Sequence, residues 1–450
     1  MVALGLIGVL LIGSALAAGR FWSFVTAVTN LNPLQTFVQA AAPPQGSIAW
    51  KIRNNQQVNI LLLGYGGAEN DAPYLTDSMM VVSVDPVTHR VVETSIPRDL
   101  WVKINAWPAS TGRNHWGKVN EAYENGIGQD SSKLPQYQGR DGGGHLAEDT
   151  VSAITGLKFD GYVGVDFKAF RDLVDALGGV NVCLTEPLDD NQYPRFHGYM
   201  SIHYPAGCHV YNGEQTLEIA RSRHAIEADQ ASDFGRARRQ QQILSAIKKQ
   251  ALTVNGITRA PQLMNALQQD FRTDLSLIDL ASLYQVGGSV PDSAIEHLAL
   301  TDQDFLDGYF AQPDSCGPYY TYVLCPVDPT YGTLHMYFQN EFVPRDVLSQ
   351  KVPVQIANAS YNTEDLGDRV TAIIKPLGFT LAAPVRHDYE ATGYIVDRTN
   401  GRSPATVEWL QRFFGLPVVS TDPDPVQGEQ TSGIVVVLGR DYARHWLGLQ

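Results

Sequence analysis

Three short stretches near the start of the chain are rich in apolar residues and have the length of buried β-strands. They read VNILLLG, SMMVVSV and RVVETSI, at residues 58–64, 78–84 and 90–96. Because such apolar runs suit strands that are covered on both faces, they predict the centre of a sheet packed between two layers. Helical patterns follow, for example at residues 167–177. The sequence therefore predicts an α/β fold, a three-layer sandwich with a central mixed sheet flanked by helices.

The first 19 residues are apolar and carry no charge, which suits a membrane-spanning helix of about 20 residues. Arg20, Phe21 and Trp22 resemble an interfacial flank. The sequence ALA at 15–17 also fits a signal-peptidase site, so an anchor and a cleaved signal are both open. An anchor is favoured because the following stretch remains amphipathic and could lie along the membrane. Either alternative predicts that the body of the protein lies outside the cytoplasm.

The length of 450 residues favours two or more domains. After the membrane segment, residues 20–50 form a juxtamembrane segment and linker, since AAPPQGS at 41–47 is typical of a linker. We assign residues 51–345 to the main domain. Residues 351–450 hold a second succession of strand and helix patterns, which predicts a small C-terminal α/β domain.

The four cysteines fall into two pairs that are close in sequence, Cys183 with Cys208 and Cys316 with Cys325. None belongs to a CxxC motif, and no histidine pair accompanies them, which argues against a zinc site. Outside the cytosol these pairs predict two disulfides. The alternative is four buried free thiols.

A cluster of arginines stands out in a chain whose net charge of −14 argues against a nucleic-acid binder. The cluster contains Arg221, Arg223, Arg236, Arg238 and Arg239. Arg236, Arg239 and Gln240 share one helical face with apolar residues that follow them. Arginines on an inward face need anionic partners, either aspartates or a phosphate that guanidinium binds bidentately. The alternative is a solvated charged face with structural ion pairs.

Charged residues also stand at the ends of two predicted strands. Asp77 precedes the second strand, and Arg98 and Asp99 follow the third. Because ligands of open α/β sheets bind at the edge formed by strand ends, we expect these three side chains to lie together. We call Arg236, Arg239 and Gln240 the arginine stripe, and we expect it to face these three side chains across a pocket.

Several motifs occur in the order typical of a known family. They are NILLLG, LTDSMMVVSVDP, SIPRDLWVKI, KVNEAYENG, YVGVDFKAFRDLVDALGGVNV, VYNGEQTLEIARSR and DFGRARRQQQIL. Over roughly residues 57–250 the chain resembles the LytR–CpsA–Psr proteins of bacterial cell envelopes. The combination of SIPRD with the later DFGRxxRQ pattern is the most specific feature. The region from 351 resembles the LytR-type C-terminal domain.

The resemblance implies a single-pass membrane protein whose catalytic domain lies on the extracytoplasmic side. Such phosphotransferases take a glycopolymer from a polyprenyl-diphosphate carrier and attach it to peptidoglycan through a phosphodiester. The family holds the diphosphate with arginines and Mg²⁺, and encloses the lipid in an apolar tunnel between sheet and helices. The implied partners are the lipid-linked glycopolymer, the peptidoglycan acceptor and the membrane, with no nucleic acid.

The resemblance also implies a role for individual residues. The catalytic positions are Arg98, Asp99 and Asp233, with Asp99 either a base or an orienter of arginine. The diphosphate-binding positions are Asn120, Arg221, Arg223, Arg236, Arg239 and Gln240. Asp77 matches the aspartate that binds the metal. Phosphoryl transfer needs charge neutralisation and positioning, which arginines and Mg²⁺ provide.

The metal shell departs from the family pattern at two positions. Gly66 stands where many members have an aspartate, and Leu75 stands where many have an arginine. Asp71, in a longer loop, could supply the missing carboxylate. Mg²⁺ needs few protein ligands, since phosphate oxygens and water complete its shell.

Three alternatives to transfer are open at this point. The same residues could serve a hydrolase that acts on polyprenyl diphosphate or pyrophosphate. The protein could instead be a non-enzymatic regulator of cell-wall gene expression or autolysis, although the full arginine set with Asp77 argues against that. It could also be a structural envelope protein with ion-paired arginines.

Overall fold

The computed structural model describes residues 43–68, 70–195, 198–227, 230–231, 233–251, 271–302, 304–309, 316, 321–360, 365–423, 425 and 428–446. The predicted membrane segment at 1–19 lies outside these ranges, and so do residues 20–42 of the juxtamembrane segment. Within the described ranges, no helix combines the length and the apolar character needed to cross a bilayer.

The main domain alternates strands and helices. Its strands are β1 (Val58–Tyr65), β2 (Thr76–Asp85), β3 (Arg90–Ile96), β4 (Trp101–Ile104), β5 (His115–Lys118), β6 (Gly161–Asp166), β7 (Val180–Leu184), β8 (Leu188–Arg195), β9 (Gly198–Tyr204), β10 (Gly207–Tyr211), β11 (Phe271–Thr273), β12 (Ile295–Ala299), β13 (Leu306–Tyr309) and β14 (Val323–Pro326). Its helices are α1 (Ile48–Arg53), α2 (Glu121–Gly126), α3 (Gly142–Thr155), α4 (Phe167–Leu177), α5 (Gly213–Arg221), α6 (Asp233–Ala251), α7 (Leu277–Ser289), α8 (Gly332–Gln339) and α9 (Arg345–Ser349). The folded part begins slightly before the predicted boundary at 51, because Ile48 and Ala49 of α1 are buried.

The central sheet is mixed, as predicted. Its strand order is β11-β6-β1-β2-β3-β12. The three apolar stretches form the antiparallel strands β1, β2 and β3, with Leu61 opposite Val81 and Val81 opposite Thr94. β6 runs parallel to β1, and β12 runs parallel to β3. The end of β1, the start of β2 and the end of β6 therefore meet at one edge of the sheet.

Alternate residues of β1 serve two different faces. Leu61 and Leu63 are fully buried in a core that includes Leu146 and Val151 of α3. The side chain of Leu62 lies on the opposite face of the sheet, where helices α4, α5 and α6 pack. The period of two along a strand explains this division. The layers are thus helix, sheet and helix, which confirms the predicted mixed α/β sandwich.

The C-terminal region has a sheet of its own. Its strands are β15 (Pro353–Asn358), β16 (Thr380–Leu381), β17 (Val385–Arg386), β18 (Tyr394–Asp397), β19 (Val418–Val419) and β20 (Ile434–Leu438), and its helices are α10 (Leu366–Ile374), α11 (Pro404–Phe414) and α12 (Arg440–Trp446). β15 and β20 are parallel and central, and β18 joins β20 antiparallel. Arg369 of α10 forms an ion pair of 2.6 Å with Asp307 of the main domain. This contact ties the two regions together.

Both predicted cysteine pairs are bonded in the structure. Cys183 and Cys208 stand directly opposite each other on the antiparallel strands β7 and β10. Cys316 and Cys325 close a shorter loop that ends on β14. The first disulfide links the strand that follows α4 to the strand that precedes α5, so it braces the helical layer that covers one face of the sheet.

Candidate functional site

A cavity of about 360 Å³ lies between the central sheet and helices α4, α5 and α6. Apolar side chains from all these elements line it: Leu62, Met80, Val163, Val165, Phe170, Leu173, Leu217, Ile243, Leu244, Ile247 and Phe271. They come from the strands of the sheet, from α4 and α5, and from the later turns of α6. A cavity of this composition suits a hydrocarbon ligand, because burial of apolar surface is favourable.

Charged and polar side chains line the same cavity where strands and helices end. We call this set the polar rim; it consists of Asp77, Ser78, Asp166, Arg221, Arg223, Arg236 and Gln240. Asp77 and Ser78 start β2, and Asp166 ends β6. Arg221 ends α5 and Arg223 follows it closely, whereas Arg236 and Gln240 lie early in α6. Of the predicted stripe, Arg236 and Gln240 line this cavity together with Asp77.

Arg98 and Asp99 lie beside Asp77, as their positions after β3 predict. The Nη1 of Arg98 donates a hydrogen bond of 2.6 Å to Oδ1 of Asp77. Its Nε lies 3.5 Å from Oδ2 of Asp99, while the ammonium of Lys118 contacts Oδ1 of the same carboxylate. Asp99 is only 4% exposed, and each of its two oxygens faces a cation. Lys118 is the first residue of the KVNEAYENG motif, but the sequence did not predict it as a site residue.

Gln240 connects the sheet to the helical layer. Its Oε1 accepts a hydrogen bond of 2.8 Å from Oγ of Ser78, and its Nε2 donates one of 3.2 Å to the carbonyl oxygen of Ala220. The amide therefore joins β2 to the last turn of α5. This fixes the end of α5 and the first turns of α6 relative to Asp77.

Arg221 is held by aromatic rings. Its guanidinium carbon lies 4.1 Å from the ring centre of Phe167 and 5.4 Å from that of Tyr193. Its Nη1 also donates a hydrogen bond of 3.1 Å to the Tyr193 hydroxyl. Burial raises the pKa of Tyr193 to about 12, more than the nearby arginine lowers it, so the phenol stays protonated. An arginine stacked this way is directed into the cavity with little freedom.

Asp190 shapes the loop that follows α5, and sequence reasoning missed it. It is fully buried and accepts hydrogen bonds from Oγ of Ser222 and from the backbone amides of Gln192, Arg223 and His224. Burial alone would raise the pKa of Asp190, but these hydrogen bonds together outweigh it and leave the pKa below its usual value. The carboxylate thus holds the backbone of Arg223. Only the tertiary structure brings it there, and no local sequence signal marks it.

Two predicted diphosphate-binding residues, Asn120 and Arg239, do not line the cavity. Arg239 packs against the end of α5 instead. It is 2% exposed, and its guanidinium donates to the carbonyl oxygens of Ile219, Ser222 and Gln230 and to the side chain of Gln230. Burial, and next the charge of Arg236, lower the pKa of Arg239 to about 10. Its role in the structure is to secure the end of α5 and the loop that follows.

Helical geometry explains why Arg236 and Gln240 line the cavity whereas Arg239 does not. Each residue of a helix advances by about 100°, so Arg239 lies about 60° to one side of Arg236, while Gln240 lies about 40° to the other. The residues of α6 that line the cavity are on the side of Gln240. Arg239 instead faces α5. Arg238, predicted to be off the stripe, is exposed.

The remaining predicted site residues have varied positions. Asn120 is 5% exposed, and its Oδ1 has no hydrogen-bond partner within the described structure. Its carbonyl oxygen accepts from the backbone and hydroxyl of Thr76, which places it next to the start of β2. Asp71 is exposed on the connection between β1 and β2 and does not line the cavity. Asp233 is the first residue of α6, and its side chain lies outside what the structure describes.

Two carboxylates of the polar rim offer oxygen ligands for a divalent cation. Asp77 is partly exposed to the cavity, and Asp166 lines it from the end of β6. One oxygen of Asp166 caps α4 by accepting from the amide of Ala169 at 2.8 Å. Its other oxygen faces Gly67, where a Cβ atom would come within 2.7 Å, so only glycine fits there. One or two carboxylates beside a phosphate site match what Mg²⁺ requires. Sequence reasoning did not name Asp166.

The model of the LytR_cpsA_psr family matches residues 28–315. The polyisoprenyl-teichoic acid–peptidoglycan teichoic acid transferase TagU of Bacillus cereus (strain AH820) is 28% identical over 275 residues, which are 61% of this chain and 78% of that protein. The protein of the same name from Halalkalibacterium halodurans is 30% identical over 230 residues, 51% of this chain and 65% of that one.

A similar solved structure is that of B. subtilis TagV, with 24% identity and a TM-score of 0.47, over 64% of this chain and 97% of that chain. The family match spans well over half of the present sequence and contains every residue of the polar rim. The chain therefore belongs to the LytR–CpsA–Psr family.

Proposed function

We propose that this protein transfers a phosphate-linked glycopolymer from a polyprenyl-diphosphate carrier to peptidoglycan. The observation that carries the proposal is one cavity with apolar walls and an arginine-rich polar rim. A polyprenyl chain suits the walls, and a diphosphate suits the guanidinium groups. The names of the two similar transferases, which act on polyisoprenyl-teichoic acid and peptidoglycan, support the same reaction.

In the proposed step, a sugar hydroxyl of the acceptor attacks the phosphorus that carries the glycopolymer. The bond from that phosphorus to the bridging oxygen breaks, and the lipid leaves as polyprenyl phosphate. The hydroxyl proton passes to a carboxylate near the rim. Arg221, Arg223 and Arg236 neutralise the charge that develops on the diphosphate oxygens, which is the main requirement of phosphoryl transfer.

Asp99 serves as a positioning residue in this proposal rather than as the base. One of its oxygens contacts Lys118 and the other faces Arg98, and the residue is only 4% exposed, so an incoming hydroxyl has little access to it. Arg98, held between Asp77 and Asp99, thereby has a fixed position next to the polar rim. The orienting role, one of the two that the sequence left open, fits the contacts better.

We further propose that Mg²⁺ is held by Asp77 with Asp166, and that it neutralises diphosphate charge when bound. Asp166 is a better second ligand than Asp71, because it lines the cavity and Asp71 does not. A membrane anchor at residues 1–19, with the domain on the extracytoplasmic side, remains our inference from the uncharged apolar run. The two disulfides suit such an oxidising compartment. Residues 351–450 are proposed as the LytR-type C-terminal domain.

The test is product analysis with a polyprenyl-diphosphate-linked saccharide in the presence and absence of peptidoglycan. We expect phosphodiester-linked product with the acceptor, a large loss of it in Arg236→Gln, and near wild-type yield in Arg238→Gln. The second arginine is exposed on the same helix and serves as the matched control. Release of saccharide phosphate to water, with no linked product, would favour the hydrolase. Wild-type yield in Arg236→Gln would contradict the proposal.

A further inference from the structure

The C-terminal sheet carries a buried cluster of ionisable side chains that the proposed transfer does not use. His387 follows β17, and Asp422 and Glu429 belong to the loop between β19 and β20. The exposed fractions of these side chains are 0% for His387, 4% for Asp422 and 2% for Glu429. Buried charges of this kind are costly unless they are paired or coordinate a metal. The cluster therefore needs a physical explanation.

The outer atoms of the cluster are held by neighbouring groups. The Nη2 of Arg398 lies 2.8 Å from Oδ2 of Asp422 and 2.5 Å from Oε2 of Glu429. The Nδ1 of His387 lies 2.8 Å from the carbonyl oxygen of Asp388. Because a carbonyl can only accept, Nδ1 carries the proton in this bond. The lone pair of the imidazole is then at Nε2, on the inner side.

The inner atoms face one another and the hydroxyl of Tyr394, which donates a hydrogen bond of 3.1 Å to Oδ1 of Asp422 and lies 3.5 Å from Nε2 of His387. One potential ligand atom from each of the three residues lies within 4.8 Å of the other two. Nε2 of His387 and Oε1 of Glu429 are 3.5 Å apart. Oε1 of Glu429 is buried and has no hydrogen-bond partner within the described structure. A carboxylate oxygen is rarely left this way, so its position indicates a missing cationic partner.

The distance between the inner atoms favours a metal over a proton as that partner. A charge-assisted hydrogen bond between His387 and Glu429 would bring the two atoms to about 2.7–2.9 Å, shorter than the 3.5 Å observed. Two ligands that are each about 2.1 Å from a tetrahedral zinc ion are about 3.4 Å apart. The observed spacing matches the second geometry.

We propose that His387, Asp422 and Glu429 form a structural site for a divalent transition-metal ion of the Zn²⁺ type. One imidazole nitrogen with two carboxylates suits this class, whereas Mg²⁺ prefers oxygen ligands alone. Arg398 and the Asp388 carbonyl act as supporting partners that orient the ligands. The metal would fasten the loop between β19 and β20 to the sheet. The site lies apart from the polar rim, and its failure would leave the transfer proposal unaffected.

Titration of the full-length protein in detergent, stripped with a chelator and then supplied with Zn²⁺, tests the site. We expect His387→Gln to weaken Zn²⁺ binding by at least about tenfold. The matched control is His145→Gln, because His145, Glu148 and Asp274 form a second group with metal-ligand spacing on the main domain. Binding lost in His387→Gln and kept in His145→Gln supports the proposal. No binding by the wild type, or equal affinity in His387→Gln, overturns it.

A measurement on the unmodified protein guards against misfolding of the variant. Crystals of the wild-type protein grown with Zn²⁺ should give an anomalous scattering peak between Nε2 of His387 and Oε1 of Glu429. A peak at that point supports the site irrespective of how the variant behaves. Absence of the peak at saturating Zn²⁺ refutes it.

Discussion

Replacement of Arg239 tests whether a buried arginine next to the cavity serves folding rather than ligand binding. Arg239→Met keeps the apolar stem but leaves the carbonyl oxygens of Ile219, Ser222 and Gln230 without their donor. Each buried acceptor left without a partner costs about 1–3 kcal/mol, and the smaller cost of burying methionine in place of a charge offsets part of the sum. We therefore expect the free energy of unfolding to fall by about 3–5 kcal/mol, a large part of the roughly 5–15 kcal/mol of a typical domain.

The assay is urea denaturation followed by circular dichroism, with Arg238→Met as the matched control. Arg238 is the preceding residue on α6 and is exposed, so its replacement should change stability by less than about 0.5 kcal/mol. A loss below about 1 kcal/mol in Arg239→Met would refute the reasoning. It would return Arg239 to the residues expected to bind the diphosphate.

Three further predictions concern stability, pH and the cavity. Cys183→Ser opens a loop of 25 residues and should cost about 3 kcal/mol of unfolding free energy in urea; a loss that persists when both proteins are fully reduced would count against this account. Burial raises the pKa of Glu341 from 4.5 to about 8, so the folded state keeps a proton that the unfolded chain releases, and stability should fall as the pH rises across that interval. Glu341→Gln should reduce the slope of the urea midpoint against pH, and an unchanged slope would contradict the assignment. Val163→Phe fills the apolar cavity and should abolish co-purification of lipid, whereas Val87→Phe, on an exposed turn, should not.

Much of the fold was predictable because its strands are covered on both faces. Such strands do not alternate apolar and polar residues but are apolar throughout. The sequences of β1, β2 and β3 show this continuous apolar pattern. The mixed direction of the sheet followed from the order of strands and helices. The buried start of α1 was missed, because Ile48 and Ala49 pack against residues that are distant in sequence.

The site was predictable where function coincides with strand or helix ends. Asp77, Arg98 and Asp99 lie where the predicted edge placed them. Asp190 acts through contacts with a segment remote in sequence, so no local pattern marks it. Asp166 caps α4 locally, and only its position beside Gly67 on the connection after β1 brings it to the polar rim. Arg239 was predicted to line the cavity because the predicted helix face was too wide. A residue three positions after Arg236 can lie on the cavity side of α6 or on the side that packs on α5, and Arg239 lies on the second.

The central claim is that a polyprenyl carrier occupies the apolar cavity with its diphosphate at the arginines of the polar rim. Lipid mass spectrometry on protein purified in detergent tests it most directly, with wild type compared with the Arg98→Ala/Arg221→Ala double variant. Arg221 belongs to the polar rim and Arg98 donates to Asp77 of that rim, and neither arginine is fully buried. We predict that polyprenyl phosphate or diphosphate accompanies the wild type and is lost from the folded variant. Equal amounts of the lipid in both proteins, or none in either, would contradict the account.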